Sequence, residues 1–190
     1  MKRLLLVAIL MIQAGLYAQK KDCEFSTEFT DSIGTYKETK AKIMHERIFG
    51  NSSNYIFFSL IEANETPVLK FQLIQKSKDF IKVNCLDEKS KLYIQLANGK
   101  IITLIMSDEG NCGSMIHDQK QTNVRITTAS FLFLKDTMEE LRKSPITLFR
   151  IKYATETFDY LTKETLVSEL DKETYHPERF FMDYLSCVMK

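Results

Sequence analysis

The chain has 190 residues, 44% of them hydrophobic, and its 26 Lys and Arg nearly balance 25 Asp and Glu for a formal charge of +1. The basic residues are scattered rather than striped, which excludes the electrostatic footprint of a nucleic-acid binder or a membrane-surface protein. Only six Gly and three Pro occur, with no repeat and no low-complexity run, so fibrous and disordered classes are excluded as well.

Residues 1–18 read as an address. Lys2-Arg3 is a basic start, Leu4 to Ile12 an apolar run, and Gly15-Leu16-Tyr17-Ala18 a small-residue end. This order describes a signal peptide cleaved between Ala18 and Gln19. The competing reading is an uncleaved anchor helix, but the apolar run is far short of the ~20 residues that span a bilayer. Cys23 stands too far behind Ala18 for lipid anchoring. Removing 18 of the 190 residues leaves 172, enough for one ordinary core, and takes Lys2 and Arg3 with it, so 24 basic residues face 25 acidic ones. The expected organisation is a signal peptide over 1–18 and a single β-rich domain over 19–190, with no transmembrane segment after cleavage.

Alternating apolar and polar residues, rich in β-branched and aromatic types, predict strands over 36–48, 54–63, 67–76, 91–97, 100–107, 122–134, 146–154 and 157–162. Between the fourth and fifth, Asn98-Gly99 is a strong hairpin signal and favours a two-residue turn. In that register Leu96 faces Ile101. A first helix is predicted over 136–144, with Asp136 and Glu139 as a capping box and Met138, Leu141 and Leu134 on its apolar side. Pro145 ends it, because proline disfavours helical geometry in the residue before it. Residues 162–173 lean to a strand with polar flanks. A second helix is predicted over 176–188, with Pro177 at its first position and Phe180, Phe181, Tyr184, Leu185 and Val188 along one side. The fold class is therefore α+β, mainly an antiparallel sheet or curved sandwich with a helix docked on it.

Four cysteines, an even number in an exported chain, read as disulfides, and three pairings are possible. The two-residue turn selects among them. Extended backwards, its ladder sets Cys85 opposite Cys112, by parity as a hydrogen-bonded pair, with fraying over Asp87 to Ser90. Cys23 and Cys187 then form the second bridge. The alternative uses "CGSMIHD", with Cys112 as nucleophile, His117 as base and Asp118 as orienter, or the three as metal ligands. Nothing in their spacing forces those contacts, and an oxidising compartment disfavours a free thiol.

The remaining candidates weigh less. His45 falls in a strand pattern, His176 at a helix start, and Asp108-Glu109 beside Gly110 in a turn. No lipase elbow, zinc-protease helix, phosphate loop or dinucleotide fingerprint occurs. No catalytic, cofactor-binding or metal-binding residue is assigned, and no cofactor is expected. Asn51 and Asn64 stand in N-glycosylation sequons.

The succession of "DCEFSTEFTD", the hairpin "LYIQLANGKIITL", the block "FLFLKDTMEELRKSPITLFRIKYATETFDY" and an aromatic closing helix resembles a group of uncharacterised exported proteins of Bacteroidetes-type bacteria. The resemblance covers most of residues 22–188 and carries no assigned site. The chain departs from that group's pattern at Ala154-Thr155-Glu156-Thr157, which replaces an Asp-Gly turn. It also implies O-glycosylation at short acceptor triplets, of which "DSI" places Ser32 and "DTM" places Thr137, and Ser32 is preferred because Thr137 falls in a predicted helix.

These readings converge on a periplasmic or secreted, non-catalytic domain that binds a partner or supports the envelope. Its partner would be a protein, a glycan or an apolar ligand, not nucleic acid. A carrier of an apolar small ligand and a hydrolase with an unrecognised site are the alternatives.

Overall fold

A computed structural model describes residues 23–119 and 121–189. The proposed cleavage between Ala18 and Gln19 lies outside the described residues. The described residues form thirteen strands and two short α-helices, and eleven of these strands join one antiparallel sheet.

The sheet is built around three long strands, β4 (Ser52–Ala63), β5 (Thr66–Ser77) and β9 (Asn123–Phe133), paired along nearly their whole lengths. β4 binds two strands along its other edge, β2 (Thr35–Thr39) and β3 (Lys42–Phe49), and β2 in turn carries β1 (Phe25–Thr30). The sequence reads β2 and β3 as one strand over 36–48, but the ladder breaks at Lys40-Ala41. The Thr39 hydroxyl fills the gap by accepting the buried Leu60 N–H at 2.9 Å, since a buried amide without a partner is costly.

The far edge of β9 is shared in the same way by β7 (Ile101–Met106) and β8 (Ser114–His117). Side chains bridge that gap too. Asp108 accepts the Ser130 N–H and Asn111 donates its amide to the Thr128 carbonyl. Beyond β7 the order continues through β6 (Lys91–Leu96) and β10 (Ile146–Lys152) to β11 (Thr157–Leu161). β1 and β8 escape sequence reading because they bury almost nothing, so no alternation marks them. Residues 162–173 yield only β12 (Leu166–Val167), paired with β13 (Thr174–Tyr175). The polar turn between them is held to β3 by Glu46, which accepts the Ser168 hydroxyl and the Glu169 N–H.

The sheet curves until distant strands touch. Four strands lie between Phe58 of β4 and Phe149 of β10 in the sheet order, yet their ring centroids lie 5.2 Å apart. Helix α2 (Phe180–Tyr184) closes one end, with Phe180 against Phe58 at 5.7 Å and Phe181 against Phe133 at 6.0 Å. The helix expected over 176–188 is α-helical only in that middle turn, flanked by 3-10 turns over Pro177–Arg179 and Leu185–Cys187. Tighter end turns satisfy terminal groups that a short helix leaves open. The five residues expected along its apolar side, Phe180, Phe181, Tyr184, Leu185 and Val188, are all buried. Helix α1 (Met138–Lys143) lacks the expected capping box. Asp136 sits at φ +64, in the left-handed region, and Thr137 takes the cap position, donating its hydroxyl back to Leu134. Leu141 is buried, whereas Leu134 is exposed.

The hairpin corrects the expected register. Leu96 faces Lys100, so the loop is Ala97-Asn98-Gly99, three residues with Gly99 at φ +83, rather than a two-residue turn. A slip of one residue exchanges the faces of a strand. Ile102, Leu104 and Met106 therefore share the buried face with Leu92, Ile94 and Leu96, and Ile101 is left 64% exposed. The slip is undone further back. Four residues separate Lys91 from Leu86, and five separate Ile105 from Asn111, so the next pair is Leu86 with Asn111.

Cys85 and Cys112 meet just beyond it, with Cα atoms 4.0 Å apart and a disulfide between them. Because Leu86 and Asn111 exchange both backbone hydrogen bonds, the cysteines occupy the closer, non-hydrogen-bonded kind of pair, not the kind that parity from a two-residue turn implied. Cys23 and Cys187 form the second bridge, and no described cysteine is free. Two disulfides fit an oxidising, extracytoplasmic compartment. Among the described residues no helix is long and apolar enough to cross a membrane.

Candidate binding site at the mouth of the sheet

Helix α2 covers one end of the concave face, and the other end is open. The inward stripes of the long strands change character there. Along β4 the inward residues run Leu60, Phe58, Ile56, Asn54, and along β5 they run Leu69, Phe71, Leu73, Gln75. Cross-strand pairing sets the polar ends side by side, so that Arg47 of β3, Asn54 of β4, Gln75 of β5 and Arg125 of β9 form one row across four strands. The row above it is His45, Ile56, Leu73 and Thr127.

Strand β11 faces β3 across this mouth. Tyr160 meets the His45 ring edge-on at 5.0 Å and stacks on Phe149 at 5.0 Å. Between the two edges is a cavity of about 260 Å³. Arg47, Asn54, Gln75, Asn84 and His45 give it polar walls, and Leu73, Phe158 and Tyr160 an apolar floor. The Asn84 side-chain oxygen, on the lining, is buried with no hydrogen-bond partner among the described residues, as is Arg125 Nε of β9, outside the lining. The Arg125 head is otherwise anchored, donating to the Cys112 carbonyl at 2.8 Å.

The charge at the mouth is positive. Burial lowers the His45 pKa, and the nearby cations Lys163 and Arg47 lower it further. Arg47 and Lys163 make no ion pair among the described residues. The carboxylate at the rim, Asp159, is held bidentately by Arg150 at 2.5 and 2.6 Å. A depressed histidine pKa makes the unfolded state bind protons first, so stability is level above about 6.5 and falls as pH drops from there through the folded value. Replacing His45 by Gln is expected to remove that part of the acid slope. An NMR titration of wild-type His45 with its midpoint at or above 6.5 would contradict the assignment.

The chain matches no known family, characterised protein or solved structure. The site therefore has to be judged on its own geometry.

Other concavities lack the same combination. A wider one of about 620 Å³ lies on the outer face of β6, β7 and β10, around Tyr93, Gln95, Ile101, Thr103, Leu148 and Arg150. It is an open sheet surface, and its one charged group is already paired with Asp159. A cleft of about 70 Å³ beside α2 is lined by His176, whose Nδ1 lies 3.0 Å from the Glu164 carbonyl. On the outer face of β2, Glu38 bonds Lys70, Ser59 and Tyr36. Burial pushes its carboxyl up, but these hydrogen bonds and the Lys70 charge outweigh burial and hold it below the usual range. That cluster is fully satisfied and reads as structural.

The Cys112, His117 and Asp118 alternative is overturned. The Cys112 sulfur is bonded to Cys85, His117 is exposed in β8, and Asp118 accepts the Thr122 N–H in a turn. Asp108 of the carboxylate pair fills the β9 edge as described, and Glu109 is exposed. Among the described residues no three His, Cys, Asp or Glu side chains gather closely enough to hold a metal. Ser32, Asn51 and Asn64 are exposed in turns. Sequence reading passed over Arg47, Asn54, Gln75 and Arg125, because each looks like an ordinary polar strand end until register aligns them.

Proposed function

We propose that this is a non-catalytic, exported binding domain, periplasmic or secreted, that takes a small polar ligand at the mouth of its curved sheet. One observation carries the reading: a cavity near the lower size limit of ligand sites, with converging amide and cationic groups and a buried acceptor, Asn84, left without a donor. The lining supports binding rather than turnover, since it offers no serine, threonine or cysteine and its one carboxylate is engaged by Arg150. The filled aromatic interior, with Phe58, Phe71, Phe131, Phe149 and Phe180 all buried, gives no support to an apolar carrier.

The test is an amide-resolved NMR screen of the domain against a library of small polar compounds. Hits are expected to shift His45, Asn54, Gln75 and Asn84. Shifts confined to the outer face of β6, β7 and β10 would move the site, and hydrolysis of model esters or glycosides abolished by His45→Ala would make the protein an enzyme. Export is tested on the protein from its native host, where mass spectrometry should find an N-terminus near Gln19. An intact Met1 form in the soluble cytoplasm would exclude it.

A further inference from the structure

We infer that the mouth site selects a hydroxy-carboxylate of hexuronate size, a sugar acid, with Arg47 holding the carboxylate and Asn54, Gln75 and Asn84 reading hydroxyls. The inference rests on the binding reading above and names its ligand class. The groups on the lining ask for opposite things. The Asn84 oxygen can only accept, so it needs a donor. Arg47, also on the lining, can only donate, so it needs an acceptor. A simple anion would serve the arginine and leave Asn84 unmet, and a hydrophobic ligand would serve neither. A molecule with both hydroxyls and a carboxylate meets both.

Charge narrows the class. Arg47 and Lys163 both act on His45 and neither has a paired carboxylate among the described residues, so a neutral polyol would leave the mouth's positive field unanswered. A guanidinium also matches a carboxylate in shape, donating two parallel hydrogen bonds from its planar fork to the two carboxylate oxygens. Spacing fits the same class. Neighbouring strands are ~4.8 Å apart, so the three row residues on the lining, Arg47, Asn54 and Gln75, span about 10 Å at the backbone, with the two amides next to the arginine. That places hydroxyl-reading groups beside the carboxylate-reading one. The floor of Tyr160 and Phe158 gives the C–H face of a pyranose an apolar surface. A cavity of about 260 Å³ admits one such ring and little more.

The probes are D-galacturonate, its neutral counterpart D-galactose, and acetate, each titrated into the whole domain at pH 7 and followed by NMR and calorimetry. Galacturonate is expected to shift Asn54, Gln75 and Asn84 and to bind at least tenfold more tightly than galactose or acetate. Arg47→Met should abolish that preference, and Arg47→Lys should restore part of it. Arg47 is exposed, so neither variant should unfold the domain. The bound carboxylate should also raise the His45 titration midpoint, which a loss of folding would not do. A trimer of galacturonate supports the class whether it binds more tightly than the monomer, as a polysaccharide segment, or equally, as the free acid. Galactose binding as well as galacturonate, with Arg47→Met silent, overturns the ligand class and leaves the binding reading standing. Acetate binding as well as galacturonate reduces the site to a bare anion site and overturns the class. If no probe, charged or neutral, shifts the mouth, the class and the binding reading fall together.

Discussion

Phe180→Ala is expected to destabilise the domain by about 3–5 kcal/mol, the range for emptying a phenylalanine site in a core. The residue is 1% exposed and its ring touches Phe58 at 5.7 Å, Phe181 at 5.2 Å and Tyr184 at 5.6 Å. The cavity left behind cannot easily collapse. Phe58 is fixed on β4, which is paired on both sides, and the chain after α2 is tied down by Cys187. Phe181→Ala should behave alike, since both rings of the pair point inward. In a chain of this size each kcal/mol lowers the melting temperature by roughly 2–4 °C. Phe49→Ala serves as the control, because Phe49 is 76% exposed and a surface change of this kind stays within about 0.5 kcal/mol. Urea unfolding decides it, and a loss below about 1 kcal/mol at Phe180 would mean that α2 is not packed as described.

Replacing both cysteines of a bridge by serine should cost more for Cys23 and Cys187 than for Cys85 and Cys112. The first pair is separated by 164 residues and the second by 27. On the chain-entropy account the first cross-link restrains the unfolded chain by about 5 kcal/mol and the second by about 3.5 kcal/mol. The shorter loop also contains a hairpin that closes on its own turn, which reduces the effect of that bridge further. Both double variants are measured by chemical unfolding beside the reduced wild type. The reverse order would show that the terminal bridge joins a segment already frayed in the native state. Neither pair touches the mouth cavity directly, so galacturonate titrations below the melting point should be unchanged in the Cys23/Cys187 variant. The Cys85/Cys112 variant is less neutral, because Arg125 bonds the Cys112 carbonyl and Asn84 adjoins Cys85.

The local pattern of the chain was enough for several conclusions. Alternation in "LYIQLANGKIITL" marked two strands and the turn between them, and the stripe of Phe180, Phe181, Tyr184, Leu185 and Val188 marked the docking side of the last helical segment. These are properties of neighbours along the chain, where side-chain direction follows from a period of 2 or 3.6. The cysteine pairing was reached by a register one residue wrong at the turn, offset by an extra residue between Ile105 and Asn111. Composition can name a turn, but whether Asn98-Gly99 closes two residues or three is settled by which face of β7 finds the core. Burying Ile102, Leu104 and Met106 against Phe131 and the rest of the interior decided it.

Tertiary structure alone decided the rest. β1 and β8 exist because an edge of β2 and an edge of β9 offer backbone partners, not because their own residues demand a strand. The break between β2 and β3 depends on Thr39 reaching Leu60, twenty-one residues away. The site is the fullest case. Arg47, Asn54, Gln75 and Arg125 are distant in sequence and individually unremarkable as strand-end polar residues. Hydrogen-bonded register puts them in one row, and the curl of the sheet brings Tyr160 and His45 together to wall it. Sequence by itself determined a disulfide-paired, antiparallel β-rich domain, because those features depend on local period and residue count. The mouth, its positive charge and its unmet hydrogen bonds arise only when separate strands are aligned and bent, since a cavity is a relation between residues that the chain order keeps apart.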